Sequence, residues 1–242
     1  MDLGEITNLS EYGYLRVAAV SPKLKIGNVE YNVDEIIKSL GALELENVQI
    51  AVFPELSLTG YTCADLFYQD ALLDNVSLGL GKLVDFSSRI NLLFIVGLPL
   101  RVDAKLFNCA AIIGCGNIYG IVHKTFIPNT REFYEARWFS NHPKSEFIKI
   151  FGKEVPLGNN LIFVDKTHSR IAFGVEICHD LWAVEPISTM LALNGARVIF
   201  NLSASDEWIG KSDYRHNLVL NQSARINCGY VYSGSSACES TT

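Results

Sequence analysis

The sequence predicts an α/β fold, because strand-like apolar segments alternate with helix-like segments along most of the chain. The central strand-like segments are apolar throughout, as in sheets that are covered on both faces. Of the 242 residues, 49% are hydrophobic and 19% are charged. This composition describes a globular chain that is long enough to bury one large core. No linker, internal repeat or low-complexity segment interrupts the pattern, so we expect residues 1–242 to form a single domain.

The N-terminal part of the chain contains three predicted strands and two predicted helices. Short apolar runs rich in β-branched residues predict the strands, which cover 15–20, 48–53 and 92–96. Apolar residues at helical spacing predict helices over 29–45 and 71–89. Gly97 and Pro99 are expected to end the third strand.

The middle of the chain is predicted to contain a hairpin followed by a short helix and irregular structure. Apolar runs at 106–114 and 118–122 flank Gly116-Asn117, a pair that is typical of a tight turn between antiparallel strands. Residues 131–139 are expected to form the short helix, and 140–160 are expected to be irregular.

The last part of the chain returns to alternating strands and helices. Strands are predicted at 161–165, 170–177, 197–202 and 230–233, and helices at 184–194 and 211–227. Asn194-Gly195 is expected to end the first of these helices.

The composition excludes several classes of partner. There are 26 acidic and 20 basic residues, the net charge is −6, and Lys and Arg form no run, so nucleic acid is not an expected partner. No apolar run is long enough to span a membrane, and the N-terminus lacks the charged and then apolar pattern of a signal peptide. We therefore expect no membrane partner and a cytoplasmic location.

The six cysteines and five histidines predict neither a disulfide framework nor a metal site. The cysteines form no CxxC pair, and no histidine has ligand spacing to a cysteine apart from the adjacent Cys178-His179. Cys109, Cys115 and Cys228 lie in apolar contexts and are expected to be small buried residues.

The segment around Cys178 is the most informative part of the sequence. A β-branched, apolar run that ends at Ile177 leads directly into Cys178, and polar residues and a helix-like stretch follow. A cysteine at such a strand-to-helix turn is held rigidly at the edge of a sheet, beside the free N–H groups of the next segment. We expect this environment to favour the thiolate, which is the nucleophilic form.

Two further side chains complete a hypothetical site for acyl transfer from an amide. Glu55 follows the predicted strand 48–53, and Lys124 follows the second arm of the hairpin. Acyl transfer requires a nucleophile, a proton carrier and a group that stabilises the developing oxyanion. The hypothesis assigns these roles to Cys178, Glu55 and Lys124, with the backbone N–H just after Cys178 as a second oxyanion donor.

These segments resemble the nitrilase superfamily of carbon–nitrogen hydrolases, whose site is a triad of glutamate, lysine and cysteine. The residues that carry the resemblance are, in chain order, Phe53-Pro54-Glu55 to Tyr61, Lys124 with Pro128 and Asn129, Phe133 to Phe139, Glu176-Ile177-Cys178 and Asn201-Leu202-Ser203. Because these motifs occur in the family's order, together they are far more specific than any one of them. The resemblance implies a four-layer α-β-β-α sandwich of the nitrilase type.

Within the superfamily, the chain resembles the glutaminase domains of the glutamine-dependent NAD synthetase family. The residues that carry this resemblance are Arg131 to Glu135, Asp180-Leu181-Trp182, Ser203-Ala204-Ser205 and Cys238-Glu239-Ser240. In that family the glutaminase domain releases ammonia from glutamine, and a C-terminal synthetase domain uses the ammonia to amidate an adenylated nicotinic acid dinucleotide. The resemblance therefore implies glutamine as the substrate and a synthetase domain as the partner.

The synthetase domain of that family carries an ATP-pyrophosphatase loop of the type Ser-Gly-Gly-x-Asp-Ser, and no such run occurs here. The resemblance thus implies no cofactor in this domain, with ATP and Mg²⁺ expected only in the synthetase domain. Residues 237–242 end the chain without a helix or a cap, which suggests truncation at the C-terminus. We also expect a homo-oligomer.

The resemblance implies roles for individual catalytic residues. It makes Cys178 the nucleophile, Glu55 the base and Lys124 the cation that stabilises the oxyanion. Glu135 is expected to orient Lys124 through a charge-assisted hydrogen bond.

The resemblance also implies a substrate pocket, with two departures from the family's pattern. Tyr61 and Phe133 are expected to wall the pocket, and Ser205 is expected to contact the amino-acid end of the substrate. His179 stands where the family often has a glutamate that pairs with the substrate's α-ammonium, and Thr130 stands where it often has an aromatic residue. A neutral histidine does not match the charge of that glutamate.

Two other functions remain open from the sequence. One is a stand-alone aliphatic amidase or carbamoylase of the same superfamily, with another amide as substrate. The other is a non-catalytic assembly module, in which the domain serves oligomer contacts. A synthetase domain encoded beyond Thr242 favours the glutaminase, whereas a stop codon at that point favours the free amidase.

Overall fold

A computed structural model describes residues 13–165 and 171–236, in which two β-sheets lie face to face between layers of helices. The first sheet has five strands in chain order, namely β1 (Val17–Ala19), β2 (Ile50–Val52), β3 (Leu93–Val102), β4 (Lys105–Gly114) and β5 (Asn117–His123). Strands β1, β2 and β3 are parallel, whereas β4 is antiparallel to both β3 and β5.

The remaining strands form a two-stranded ribbon and the second sheet. The ribbon consists of β6 (Phe147–Ile150) and β7 (Lys153–Pro156). The second sheet consists of β8 (Ile162–Val164), β9 (Ala172–Ile177), β10 (Val198–Ser203) and β11 (Gly229–Gly234), in the spatial order β11-β10-β9-β8. Its strands β9, β10 and β11 are parallel, and β8 is antiparallel to β9.

Four α-helices in the described residues form the outer layers. Helices α1 (Val29–Leu45) and α2 (Asp70–Ser87) cover the first sheet, and α3 (Ile187–Leu193) and α4 (Lys211–Ile226) cover the second. The side chain of Asn28 accepts a hydrogen bond from the N–H of Tyr31 and so caps the start of α1.

The alternation of side chains along β2 shows how the layers are built. Ile50 and Val52 lie in the core between the two sheets, with Val175 of the second sheet. Ala51 lies in the core that the first sheet shares with α1 and α2. Both faces of the sheet are therefore buried, as the uninterrupted apolar strands predict. The predicted α/β class and the four-layer α-β-β-α sandwich are confirmed.

Strand direction brings the ends of several strands to one edge. Since β2, β3 and β5 run the same way, the carboxyl ends of β2 and β5 lie at the same edge of the first sheet. Glu55 follows β2, Lys124 follows β5 directly, and Cys178 follows β9 directly. Side chains at the carboxyl ends of strands are commonly those that meet a ligand in α/β folds.

The predicted end of the third strand is wrong, because β3 continues through Gly97 and Pro99 to Val102. Strand β2 pairs only with residues 93–95, so the second half of β3 has β4 on one side and no strand on the other. A proline, which lacks an N–H, is tolerated there because no neighbouring strand requires that donor.

The predicted hairpin is present, but its turn lies one residue earlier than expected. Strand β4 ends at Gly114 and β5 begins at Asn117, so the turn is Cys115-Gly116, and both residues have positive φ (49° and 70°). This position exposes Cys115, which corrects the expectation that it is buried. Cys109 and Cys228 are buried, as predicted.

Two predictions for the middle of the chain are wrong. The helix expected over 131–139 is a single 3-10 turn, Glu135–Arg137, because Arg131 has a positive φ of 57° and cannot begin a right-handed helix. The region 140–160, expected to be irregular, contains the ribbon of β6 and β7, whose short strands carry a weak apolar pattern. A 3-10 turn at Ala64–Tyr68 was not predicted. The C-terminal residues 237–242, with Cys238, lie outside the described residues.

Candidate active site

Glu55 is positioned by a close approach between the segment after β2 and strand β3. A Cβ atom on Gly97 would lie 2.2 Å from the backbone nitrogen of Leu56 and 2.6 Å from the carbonyl oxygen of Pro54. Only glycine allows this approach. The N–H of Gly97 also donates to Ser57 Oγ at 3.2 Å, which anchors the segment on the strand. The Glu55 side chain is fully buried as a result.

The buried ammonium group of Lys124 joins two carboxylates. Its Nζ lies 2.6 Å from Glu55 Oε1 and 2.6 Å from Glu135 Oε1. Burial by itself lowers the pKa of Lys124, but the charges of Glu135 and Glu55 outweigh burial and raise it above its ordinary value. Lys124 is therefore positively charged at neutral pH. The structure brings three residues that the sequence singled out, Glu55, Lys124 and Glu135, into one cluster.

Two donors from different parts of the chain hold the Glu55 carboxylate. Asn108 Nδ2, on β4, donates to Glu55 Oε1 at 2.7 Å. The backbone N–H of Ala204, just after β10, donates to Glu55 Oε2 at 3.0 Å. Glu55 is thus held from both sheets, which restricts its orientation.

Tyr61 contacts the buried cluster through its hydroxyl group. Its hydroxyl donates to Glu135 Oε1 at 2.6 Å, and its ring meets Phe133 edge to face at 6.3 Å between ring centres. Tyr61 does not line the cavity at Cys178, whereas Phe133 does. The expectation that Tyr61 walls the pocket stays a prediction, and the contact that the structure shows for its hydroxyl is with the buried carboxylate of Glu135.

Cys178 occupies the sharp turn that the sequence predicts after β9. It begins a 3-10 turn, Cys178–Leu181, and its φ of 44° lies in the left-handed region, which is unfavourable for a residue with a Cβ atom. Such strained positions persist where the surrounding structure holds them, and they are common at active sites.

Asp180 connects this turn to the segment after Lys124. Its carboxylate accepts hydrogen bonds from the N–H groups of Ile177 (3.1 Å), Thr125 (3.1 Å) and Phe126 (2.8 Å). A single buried side chain therefore fixes the relative positions of the thiol and the lysine.

The Cys178 thiol is protonated in the unliganded protein, contrary to the expectation that its turn favours the thiolate. Burial raises the pKa of the thiol to about 12, and the charge of Glu55 acts in the same direction. Lys124 and Ser203 lower it, since Ser203 Oγ donates to Cys178 Sγ at 3.1 Å and itself accepts from the Tyr232 hydroxyl. Desolvation outweighs the donors that the turn provides.

Cys178 lies in the wall of a cavity of about 670 Å³. Phe133, His179 and Ser205, which the resemblance places near the substrate, also line it, and so does Thr130. Burial and the charge of Lys124 lower the pKa of His179, so its imidazole is neutral at pH 7.

Three charged side chains line the same cavity, namely Arg131, Glu132 and Lys211. Lys211 forms an ion pair with Asp206, and the Arg131 guanidinium lies 4.9 Å from the centre of the Trp208 ring. Glu132 Oε1 is buried and has no hydrogen-bond partner in the described residues.

Sequence reasoning missed several residues of the site. Asn108 had a detectable signal, because it is the one strongly polar side chain in the apolar run 106–114, and a buried polar group needs a partner. Asp180 was noticed only as part of a motif. Ala204 likewise belongs to a motif, Ser203-Ala204-Ser205, that did not reveal its contact with Glu55. Tyr232 has no local signal, since its role depends on a contact with a neighbouring strand.

The described parts of the chain offer no group of three or more His, Cys, Asp or Glu side chains that could hold a metal ion. Within the same residues, no helix is both long and apolar enough to cross a membrane.

Residues 16–237 match the family model of the carbon–nitrogen hydrolases. The chain belongs to this family. The resemblance to the nitrilase superfamily, read from the motifs around Glu55, Lys124 and Cys178, is therefore confirmed.

This carbon–nitrogen hydrolase is similar to glutamine-dependent NAD(+) synthetases. It is 36% identical to the enzyme of that name from Mycobacterium tuberculosis (strain ATCC 25618 / H37Rv) over 233 residues, which are 96% of this chain and 34% of the relative. It is 28% identical to the one from Aquifex aeolicus over 207 residues, which are 86% of this chain and 33% of the relative. The chain thus spans about a third of the length of the curated relatives that it matches.

Solved structures show the same fold. A glutamine-dependent NAD(+) synthetase from Cytophaga hutchinsonii matches with a TM-score of 0.78 and 28% identity, over 91% of this chain and 36% of that one. An amidase of the nitrilase superfamily from Nesterenkonia AN1 matches with a TM-score of 0.76 over 93% of this chain and 78% of that one. Because the two sequences are only 13% identical, the match to the amidase establishes a common fold and nothing about function.

Proposed function

We propose that this carbon–nitrogen hydrolase domain hydrolyses the side-chain amide of glutamine to glutamate and ammonia. The observation that carries the proposal is a cysteine in the wall of a 670 Å³ cavity, backed by the buried cluster of Glu55, Lys124 and Glu135. Similarity to glutamine-dependent NAD(+) synthetases along 96% of the chain supports glutamine as the amide.

The reaction begins with attack of Cys178 Sγ on the amide carbon. Because the pKa of the thiol is raised to about 12, its proton must leave as the C–S bond forms, and Glu55 accepts it. The amide oxygen becomes an oxyanion. Lys124 has three N–H donors, and within the described residues two of them serve Glu55 and Glu135. The third is proposed to serve the oxyanion, together with the backbone N–H of His179.

The tetrahedral intermediate then loses ammonia. Glu55 returns its proton to the leaving nitrogen, the C–N bond breaks, and a thioester on Cys178 remains. A water molecule attacks the thioester while Glu55 takes its proton, the C–S bond breaks, and the thiol regains the proton. Glutamine and water are thereby converted to glutamate and ammonia, and no cofactor of this domain takes part.

The other site residues support these steps. Glu135 accepts a hydrogen bond from Lys124 and so holds the ammonium group in place, and Tyr61 donates to the same carboxylate oxygen. Phe133, His179 and Ser205 line the cavity and contact the bound substrate.

The ammonia is proposed to serve a synthetase domain that makes NAD. The support is that the curated relatives are NAD(+) synthetases about three times as long as the matched segment. ATP and Mg²⁺ belong to that synthetase domain in this proposal. A cytoplasmic location and a homo-oligomeric state are also proposed.

The test is covalent labelling and ammonia release. A γ-diazoketone analogue of glutamine is expected to add once, at Cys178, as seen by mass spectrometry, and Cys178→Ala is expected to abolish glutamine hydrolysis. Cys115→Ala is the matched control, because it removes an exposed thiol on the hairpin turn. Ammonia release by Cys178→Ala at the rate of the unmodified protein contradicts the mechanism, and faster hydrolysis of acetamide than of glutamine contradicts the substrate.

A further inference from the structure

Glu132 is a carboxylate that the proposed chemistry does not use. It is the only acidic side chain among the residues that line the cavity. Its Oε1 is buried and accepts no hydrogen bond from the described residues. A buried carboxylate oxygen without a donor is unfavourable, so a ligand that brings a donor to this point gains binding free energy.

The cations of the cavity are engaged with other groups. Lys211 pairs with Asp206, and its Nζ lies 5.2 Å from the centre of the Trp208 ring and 5.6 Å from that of Trp182. The guanidinium of Arg131 lies over Trp208. The charge of Lys211 nevertheless acts on Glu132, so opposite charges lie close together in this part of the cavity. An α-amino acid carries the same two charges on one carbon atom.

The other polar groups that face a substrate there are uncharged. His179 is neutral at pH 7 because burial and Lys124 lower its pKa. Ser205 offers a hydroxyl group. A positively charged substrate group can therefore be neutralised within this lining only by Glu132.

We propose that Glu132 binds the α-ammonium group of the substrate and thereby selects amides of α-amino acids over uncharged aliphatic amides. The inference rests on the proposed glutaminase function and names the residue that confers its substrate selectivity. The ammonium donates to the otherwise unpartnered Oε1, and the amide at the other end of the substrate reaches Cys178.

The test compares two γ-diazoketone probes that differ only in the α-amino group. Labelling of Cys178 by each probe is followed in the unmodified protein, in Glu132→Gln and in Glu207→Gln. Glu207 is the matched control, because it is an exposed glutamate in the loop beside the cavity that pairs with Arg215. We expect the unmodified protein and Glu207→Gln to favour the amino probe by about 30-fold to 100-fold, as for a hydrogen bond between charged groups.

Glu132→Gln is expected to reduce this preference to about 3-fold or less, because the amide keeps the shape and loses the charge. Glu132→Asp is expected to recover part of it. Labelling by iodoacetamide, which has no ammonium group, should be unchanged in both variants.

A preference that survives in Glu132→Gln overturns the inference while leaving the glutaminase function standing. An equal loss of reactivity toward iodoacetamide also overturns it, because Glu132 would then act on the thiol. Absence of any preference in the unmodified protein contradicts the proposed function itself.

Discussion

At the scale of single residues, the reactivity of Cys178 depends on a balance between burial and a few donors. Burial raises the pKa of the thiol to about 12, whereas Lys124 and the hydroxyl of Ser203 favour the thiolate. Ser203 in turn accepts a hydrogen bond from the Tyr232 hydroxyl. In the proposed mechanism the thiol is therefore activated by proton transfer during attack, and its neighbours determine how much free energy that transfer costs.

Ser203→Ala should raise the pKa of Cys178 further, because it removes a donor to the sulfur. A hydrogen bond to a charged group contributes about 1.5–3 kcal/mol, which corresponds to about one to two pH units. Alkylation of Cys178 by iodoacetamide can be followed by mass spectrometry from pH 6 to 10. At each pH, the Ser203→Ala variant should be alkylated at least about 10-fold more slowly than the unmodified protein. In the unmodified protein the rate should keep rising through pH 9.

Ser233→Ala is the matched control for this prediction. Ser233 is a buried serine on β11, and its hydroxyl donates to the carbonyl oxygen of Val20 instead of to the thiol. A plateau in the alkylation rate of the unmodified protein near pH 7 would show that the thiolate is already formed, contrary to this account.

Lys124→Met should destabilise the fold, because it leaves the carboxylates of Glu55 and Glu135 buried without their cation. Breaking a buried ion pair costs about 3–5 kcal/mol. Burial already raises the pKa of Glu135, and Lys124 opposes this rise; loss of the cation therefore raises the folded-state pKa of Glu135 further above its ordinary value near 4.3, so the stability of the variant should fall as the pH rises above that value. Urea unfolding at pH 5 and pH 8 measures the free energy of unfolding of the variant and of the unmodified protein at each pH.

The control for Lys124→Met is Lys82→Met, which removes an exposed lysine 3.9 Å from Glu30. Exposed ion pairs contribute about 0–1 kcal/mol, so this variant should unfold nearly as the unmodified protein does. Unchanged stability of Lys124→Met at pH 8 is the result that this account does not allow.

At the scale of secondary-structure elements, the site depends on contacts between strands and the segments that follow them. Strand β3 places Gly97 against the backbone of the Glu55 segment, and Asp180 joins the turn after β9 to the segment after β5. The close backbone approach at Gly97 and the hydrogen bonds of Asp180 thus fix the relative positions of the segments that follow β2, β5 and β9.

Gly97→Ala should disrupt the site and destabilise the fold. Its Cβ would lie 2.2 Å from the backbone nitrogen of Leu56, and backbone atoms cannot move aside as a flexible side chain can. Overpacking typically costs about 1–3 kcal/mol, and we expect a loss at the upper end or beyond it. The midpoint temperature of thermal unfolding and the rate of glutamine turnover should both be lower than in the unmodified protein.

Gly114→Ala is the matched control, since it lies on neighbouring β4 and its Cβ would meet the nearest atom at an ordinary 3.5 Å. This variant should keep most of the stability and turnover. If both glycine variants behave alike, the close approach at Gly97 does not position Glu55.

At the scale of the whole molecule, the four layers create one chemical site where the two sheets meet. Glu55, Asn108 and Lys124 come from the first sheet and its loops, whereas Cys178, Ser203 and Ala204 come from the second. The relatives that match the chain are about three times as long as the matched segment, which is why the proposal places the ammonia acceptor in a further domain.

A synthetase domain should increase glutamine turnover by this domain. Coupling between two sites typically amounts to about 1–3 kcal/mol, or about 5–150-fold in an equilibrium constant. Ammonia release should therefore be measured at equal concentrations for the 242-residue chain alone and for a protein that also contains its synthetase domain. Equal turnover numbers would mean that the domain works independently, as a free amidase does.

The sequence alone determined much of the element order and the positions of the candidate catalytic residues at the ends of strands. Helix α1 matches the predicted range 29–45, and Glu55, Lys124 and Cys178 each follow a predicted strand. These predictions succeeded because apolar periodicity and strand-end motifs are local properties. The short ribbon, β6 and β7, was missed because strands of four residues show little periodicity.

Only the tertiary structure decided the environment of the proposed catalytic groups. The hydrogen bond from Ala204 to Glu55 joins residues 149 positions apart, and the close approach of Gly97 to Leu56 depends on strand pairing. The sequence suggested a thiolate at Cys178, whereas burial makes the thiol the stable form. The physical reason is that desolvation and charge interactions depend on every group packed around a site, while a sequence pattern describes only its neighbours along the chain.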